Sequence, residues 1–285
     1  MTEPAGEALD TLLRGFLSED IGRLDVTTES TVPAGTRARG ELLAKSDCVV
    51  SGLPVARRVF ELLDPDLAWK ETTEAGALVR APAPLATLSG RARAVLTAER
   101  VALNLLQRMC GIATATRRFV EAVAGTPCRI LDTRKTAPGL RLFDRQAVRD
   151  GGGMNHRYDL TEMVLIKDNH RRLAEGVARA VAAARAAAPG TVVEVEVESE
   201  LELREAIASG AERVLIDNQA PETVARWCAI ARAAARPPFV EASGNMRLDT
   251  VRAYALAGVD AVSVGALTHS VAAADLSLEL EVFTA

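Results

Sequence analysis

From Arg129 onward the chain repeats one pattern. Short apolar runs begin near Arg129, Glu162, Thr191, Arg213, Phe239 and Asp260, at intervals of about 33, 29, 22, 26 and 21 residues. Between most of them lie Ala-rich segments with helical spacing, such as residues 174–188 and 201–208. A strand and the helix that returns the chain to the next parallel strand need about this length, so the pattern predicts repeated βα units. Six units fall short of the eight that close a barrel. An open, incomplete α/β barrel is therefore the first expectation and a doubly wound sheet the second. The dinucleotide-binding version of the latter needs a GxGxxG turn after its first strand, and the first run here ends in DTRKT.

The first hundred residues read differently. Leu9, Leu12, Leu13, Phe16 and Leu17 recur at helical spacing, and the segment 19–30 then turns polar. Between residues 37 and 88 come short alternating runs broken by Gly and Pro, with one helix at 54–63, which predicts an α+β unit with a mostly antiparallel sheet. A long helical pattern over 94–108 is expected to break at Gly111, with a second helix over 113–124. The tail AADLSLELEVF alternates apolar with polar and is expected to return to the N-terminal sheet. The domains expected are residues 1–111, rejoined by 276–285, and residues 112–275, with no Pro/Ser linker between them.

Charge is unevenly spread. Residues 129–172 carry ten Lys and Arg against six Asp and Glu, a local +4 in a chain whose 34 basic and 38 acidic residues sum to −4. A confined cationic field in an acidic protein points to a small anionic ligand in a cleft, not to nucleic acid along a face. The N-terminus lacks a basic then apolar leader, and no run approaches the ~18 apolar residues of a membrane span. A cytoplasmic protein is expected. Cys48, Cys110, Cys128 and Cys228 are far apart without a CxxC, so buried free thiols are expected.

In a βα barrel the carboxyl ends of the strands converge on one mouth. Here they deliver Asp132, Thr133, Arg134 and Lys135; then Lys167, Asp168, Asn169 and His170; then Glu194, Glu196 and Glu198 at period two; then Asp217 and Asn218; then Glu241, Ser243, Gly244 and Asn245; and last Ser263, Gly265 and Ala266. Asp217, Asn218, Ser243 and Asn245 have a plain alternative role as helix caps or turn formers. The glutamates alternate with valines, so the carboxylates are expected in the lumen, paired with cations of neighbouring strands. Gly151–Gly153 precede His156 and Arg157, and three glycines together suit a backbone that approaches something closely. Ser243, Gly244, Asn245, Gly265 and Ala266 expose backbone N–H groups where a phosphate would bind. Glu196 and Asp217 are placed to hold Mg²⁺ through a diphosphate or to stabilise a cationic transition state.

The strings ERVALNLLQRMCGIAT, ILDTRKTAPGLR, AVRDGGGMNHR, MVLIKDNH, EVEVES, LIDN, EASGNM and SVGALTHS, in this order, resemble the quinolinate phosphoribosyltransferases over nearly the whole chain. The resemblance implies an N-terminal α/β sandwich and an open α/β barrel of the type II phosphoribosyltransferase architecture. It implies a reaction in which quinolinate and phosphoribosyl pyrophosphate yield nicotinate mononucleotide, pyrophosphate and CO₂, with Mg²⁺, in NAD biosynthesis. It assigns Arg134, His156, Arg157 and Lys167 to the quinolinate carboxylates, with Arg100 supplied by the partner subunit of a homodimer or of a larger assembly. Lys135, Glu196 and Asp217 become catalytic residues at the sugar and diphosphate. Period two admits all three glutamates to the lumen; the resemblance selects Glu196. The chain departs from the family at Asp150, where a small residue is usual, and at Arg171, where an apolar one is. Asp150 is expected to face away and pair with an arginine.

Two other readings compete. A relative of the same fold, such as the paralogue associated with molybdate transport or a nicotinate phosphoribosyltransferase, would act on a different acceptor, but a monocarboxylate does not need so many cations. A sensor that merely binds a phosphorylated anion could dispense with Glu196 and Asp217.

Overall fold

The computed structural model describes residues 6–282. The chain begins with α1 (Glu7–Ile21), α2 (Val26–Thr31), β1 (Arg37–Ala44), β2 (Cys48–Val49), α3 (Leu53–Leu63), β3 (Ala68–Glu71), β4 (Leu78–Val79), β5 (Ala83–Arg91) and α4 (Ala92–Ala122). It continues through β6 (Arg129–Leu131), α5 (Arg141–Asp150), β7 (Val164–Ile166), α6 (Asp168–Leu173), α7 (Val177–Ala187), β8 (Val193–Val197), α8 (Glu200–Ala208) and β9 (Arg213–Asp217). It ends with α9 (Pro221–Arg232), β10 (Phe239–Ser243), α10 (Val251–Leu256), β11 (Ala261–Ser263), α11 (Ala266–His269) and β12 (Leu276–Val282). Two compact units result: residues 1–117, 137–152 and 271–285, and residues 118–136 and 153–270. None of the described helices is long and apolar enough to cross a membrane.

The first unit is built on an antiparallel sheet in the order β12-β1-β5-β3. Alternation decides its faces: Ala38, Gly40, Leu42 and Ala44 of β1 are buried while their neighbours face outward. The C-terminal strand pairs with β1 from Ala38↔Val282 to Ala44↔Leu276, as the alternating tail predicts.

Two local expectations fail. The polar segment after α1 contains the short helix α2, started by Asp25, whose carboxylate accepts the Thr28 amide at 2.9 Å. Helix α4 runs unbroken through Gly111. A Cβ there would lie 2.2 Å from the carbonyl oxygen of Ala272, so the glycine admits a neighbouring backbone and does not end the helix. Gly111→Ala is therefore expected to destabilise the protein by about 1–3 kcal/mol despite alanine's better helix propensity, read as a lowered denaturant midpoint.

The sequence reading also passed over α5. Phe143, Ala147 and Val148 bury one face of it, and the buried Asp144 receives Arg108 in two hydrogen bonds of 2.7 and 2.8 Å. Gly151 is a packing residue, since a Cβ would sit 2.6 Å from both the Ala113 oxygen and the Thr116 Cβ. Asp150 accepts from Ser51 Oγ at 2.6 Å and Gln146 Nε2 at 2.7 Å, not from the arginine expected.

The second unit is a six-stranded parallel sheet in the order β6-β11-β10-β9-β8-β7. Strands β6 and β7 follow each other in sequence yet lie at opposite ends of the sheet, so the α/β barrel is open between them. The doubly wound alternative has a strand order that reverses inside the sheet, and none does here. Helices follow the strands and cover the sheet, which is why every residue of β8 is buried. The chain after the glycine triplet adds to the free edge of β6: Met154 N–H donates to Ile130 O at 2.8 Å, and Asp132 N–H to Met154 O at 3.1 Å.

Candidate active site

The strand ends of the second unit line a cavity of about 550 Å³. Of the thirteen residues the sequence singles out, it gathers Arg134 and Lys135 after β6, His156 and Arg157 from the glycine-rich segment, and Lys167 after β7. Glu196 from β8, Asp217 from β9, and Ser243, Gly244 and Asn245 at the end of β10 line it as well. Gly265 and Ala266 line an adjoining cavity of about 580 Å³ that shares Lys135 and residues 243–245. Arg100 is not among the lining residues; it is exposed on α4 in the first unit.

The cations are held by a frame the sequence only hinted at. Buried Asp132 accepts the His156 amide at 2.7 Å and Asn155 Nδ2 at 2.6 Å, which ties the segment after the glycines to the end of β6. Arg157 donates from Nη1 to Met163 O at 2.7 Å. Burial, with the neighbouring Arg134 guanidinium second, lowers the Arg157 pKa. The Nε of Arg134 is buried without a hydrogen-bond partner. Two guanidiniums that repel, one with an orphaned donor, are in place to receive an anion with more than one negative charge.

Glutamates 194 and 196 both turn inward, whereas Glu198 is exposed. Glu196 is paired with Lys167 Nζ. Glu194 belongs to a deeper cluster with His156, Arg213 and Glu241. Its Oε2 lies 3.0 Å from His156 Nε2, and Arg213 donates to Glu194 at 3.2 Å and to Glu241 at 2.7 Å. Ser263 Oγ donates to Glu241. Burial opposes the charge on Glu194, but His156 and Arg213 outweigh it and lower its pKa. Burial also opposes charge on His156, yet Glu194 and Glu241 raise its pKa. Burial, reinforced by Glu194, pushes Glu241 up to about 7.

Between the ordinary carboxyl value of 4.5 and about 7, folded Glu241 keeps a proton that the unfolded chain releases, so its contribution to stability falls as pH rises through that window. Glu241→Gln removes this contribution. The Tm difference, variant minus wild type, is expected to grow more positive from pH about 4.5 to about 7, and a pH-independent difference would contradict it.

At the end of β10, Gly244 has φ +99° and a Cβ would fall 2.2 Å from Asn218 Oδ1. Asn218 and Asn245 also have positive φ, at 51° and 44°. These residues shape loops and cap nothing: α9 is preceded by Ala220 and α10 by Thr250. The segment 243–245 also lies well ahead of α10, so its amides are loop amides and not a helix start. Thr268 Oγ1 donates to Lys135 O at 2.9 Å, holding the lysine loop beside Gly265. His269 lines the second cavity too, although its sequence context carries no signal of it. Arg171 is buried between Glu202 and Glu198, which neutralise it.

For a divalent cation, Glu196 and Asp217 offer two hard oxygen donors at adjacent strand ends in one cavity. That suits Mg²⁺, which takes one or two carboxylates and completes its shell with substrate phosphates. Among the described residues, the group of three ligands close enough to share an ion is His156, Glu194 and Glu241, within 4.8 Å. Arg213 already supplies that group's positive charge.

Comparison with known proteins agrees with this geometry. Residues 25–110 match the family model of the quinolinate phosphoribosyl transferase N-terminal domain, and residues 112–279 that of the C-terminal domain. The chain is 44% identical over 281 residues to the nicotinate-nucleotide pyrophosphorylase [carboxylating] of Mycobacterium leprae, covering 96% of this chain and 97% of that one. It is 40% identical over 275 residues to a probable enzyme of the same name from Synechocystis, covering 95% and 92%. The crystal structure of NadC from Streptococcus pyogenes superposes with a TM-score of 0.93 at 36% identity, over 100% of both chains.

Proposed function

The chain belongs to the quinolinate phosphoribosyltransferase family, and from that premise we infer that it transfers the phosphoribosyl group of phosphoribosyl pyrophosphate to quinolinate. Nicotinate mononucleotide, pyrophosphate and CO₂ are the products, in NAD biosynthesis. One observation supports this most directly: the orphaned Nε of Arg134 beside the destabilised charge of Arg157, in the cavity that also holds Lys167, Glu196 and Asp217. Quinolinate is a dianion, and its carboxylates would satisfy the orphaned donor and relieve the repulsion.

Arg134, Arg157 and Lys167 bind the acceptor carboxylates, with Arg100 reaching in from the partner of a homodimer. Ser243, Gly244 and Asn245 hold the 5′-phosphate through loop amides and Gly265 and Ala266 through the amides at the start of α11, with His269 beside them. Lys135 sits between the two cavities, at the diphosphate. Mg²⁺, held by Glu196 and Asp217, would neutralise charge on the leaving pyrophosphate. As that group departs, positive charge develops on the ribose, and the two carboxylates stabilise it more than the neutral sugar. Lys167 is bound to Glu196 before substrate arrives and exchanges it for a quinolinate carboxylate. Loss of CO₂ breaks the bond between C2 and its carboxylate; the adjacent ribosylated, cationic nitrogen stabilises the electron pair left on C2, which then takes a proton from water, so the protein mainly positions the ring.

The test is turnover with phosphoribosyl pyrophosphate and Mg²⁺, offering quinolinate in one tube and nicotinate in another. Product and CO₂ from quinolinate alone are expected. Product from nicotinate alone would mean that the acceptor pocket has been misread.

A further inference from the structure

We propose that Glu194 and Glu241, held by Arg213, are positioning residues: they lock the His156 imidazole as the Nε2–H tautomer, and His156 in turn fixes the backbone from which Arg157 reaches the acceptor carboxylate. The proposal deepens the quinolinate reading and rests on it.

Both ring nitrogens of His156 are engaged by the protein. Nε2 faces carboxylate oxygens on two sides, Glu194 Oε2 at 3.0 Å and Glu241 Oε2 at 3.6 Å, so it carries the proton. Nδ1 lies 2.7 Å from the Arg157 backbone nitrogen, and an amide N–H can be accepted only by an unprotonated Nδ1. In that tautomer the ring has no N–H left for a substrate. His156 therefore acts through Arg157, a different role from the direct carboxylate contact that the family resemblance implies.

The carboxylates are themselves fixed. Both are fully buried, Arg213 bridges them, Ser263 holds the second oxygen of Glu241, and the Arg213 guanidinium lies 4.3 Å over the Phe239 ring. Here each nitrogen meets a partner of opposite hydrogen-bonding character.

The experiment is ¹⁵N NMR of the imidazoles in the whole protein, followed from pH about 7 to about 10 until His156 is neutral, because, against its burial, Glu194 and Glu241 raise its pKa above the ordinary value of about 6.5, with steady-state kinetics of Glu194→Ala and Glu194→Gln. Wild type should show His156 protonated at Nε2 and bare at Nδ1. Glu194→Ala should mix the tautomers and raise the quinolinate KM about tenfold or more, while the KM for phosphoribosyl pyrophosphate stays within about twofold. Glu194→Gln keeps an acceptor oxygen and should retain the wild-type tautomer and KM. An Nδ1–H tautomer in wild type overturns the proposal without any variant. So does a folded Glu194→Ala enzyme with unchanged tautomer and quinolinate KM, or one in which both KM values rise together as Tm falls. Failure of the quinolinate reading would be distinct: wild type would then make no product from quinolinate at all.

Discussion

Arg157→Ala is expected to lower kcat/KM for quinolinate by about two to three orders of magnitude and to leave the KM for phosphoribosyl pyrophosphate nearly unchanged. Truncating one partner of a desolvated charge pair costs about 2–5 kcal/mol, and each 1.4 kcal/mol is tenfold. Lysine at this position keeps the charge but loses the planar fork, so Arg157→Lys should fall between the two. The free protein should not suffer in the same way. Arg157 is partly buried beside Arg134, both of which lower its pKa, and its guanidinium donates to the Met163 carbonyl. Alanine removes that repulsion, so the Tm of the variant should equal or exceed that of wild type. Lost activity with held or raised Tm would mark Arg157 as a residue kept for binding at the expense of stability. An unchanged quinolinate KM would remove it from the acceptor site.

Arg108→Ala is expected to be the more damaging change to folding, costing about 3–5 kcal/mol, because it leaves a buried carboxylate without its counter-charge. Asp144 is fully buried, and Arg108 meets both its oxygens. Burial already raises the Asp144 pKa against the pull of Arg108. The sign with pH follows. Without Arg108 the folded-state pKa rises further, so the folded variant holds a proton the unfolded chain gives up, and the deficit relative to wild type should shrink as pH falls. Replacing both partners, as in Arg108→Met with Asp144→Leu, should recover most of the loss, since a buried pair exchanged for apolar side chains is often nearly neutral. Denaturant unfolding of wild type and the two variants at two pH values tests all of this. A single variant as stable as wild type would show that water reaches Asp144.

Much of the second unit was legible because periodicity there is strong and local. Strand starts near Arg213 and Phe239 agree with β9 and β10, and those near Thr191 and Glu162 lie two residues early. The helix over 141–150 was obscured because its three buried apolar positions stand among seven residues of which five are charged, which hides the helical spacing. Gly111 misled for the opposite reason. Glycine is a reliable helix terminator only when nothing long-range needs its missing side chain, and the approach of Ala272 from 161 residues away leaves no mark in a window around Gly111.

The site divides along the same line. That Arg134, Lys135, Lys167, Glu196 and Asp217 share one mouth could be read from the chain, because each sits at a strand's carboxyl end and parallel strands in one barrel bring those ends together. Which glutamate does what could not. Period two treats Glu194, Glu196 and Glu198 alike; their neighbours across the sheet separate them. Glu196 meets Lys167, Glu194 meets Arg213 and His156, and Glu198 passes out of the barrel to solvent. The sequence by itself determined the run of βα units, the residue types at the strand ends and the sign of the ligand's charge, all properties of local spacing and composition. Tertiary structure alone decided the pairing of buried charges and the orientation of the histidine, because partners such as Arg213 and Glu241 lie 57 and 85 residues from His156 and only the closed sheet sets their distances.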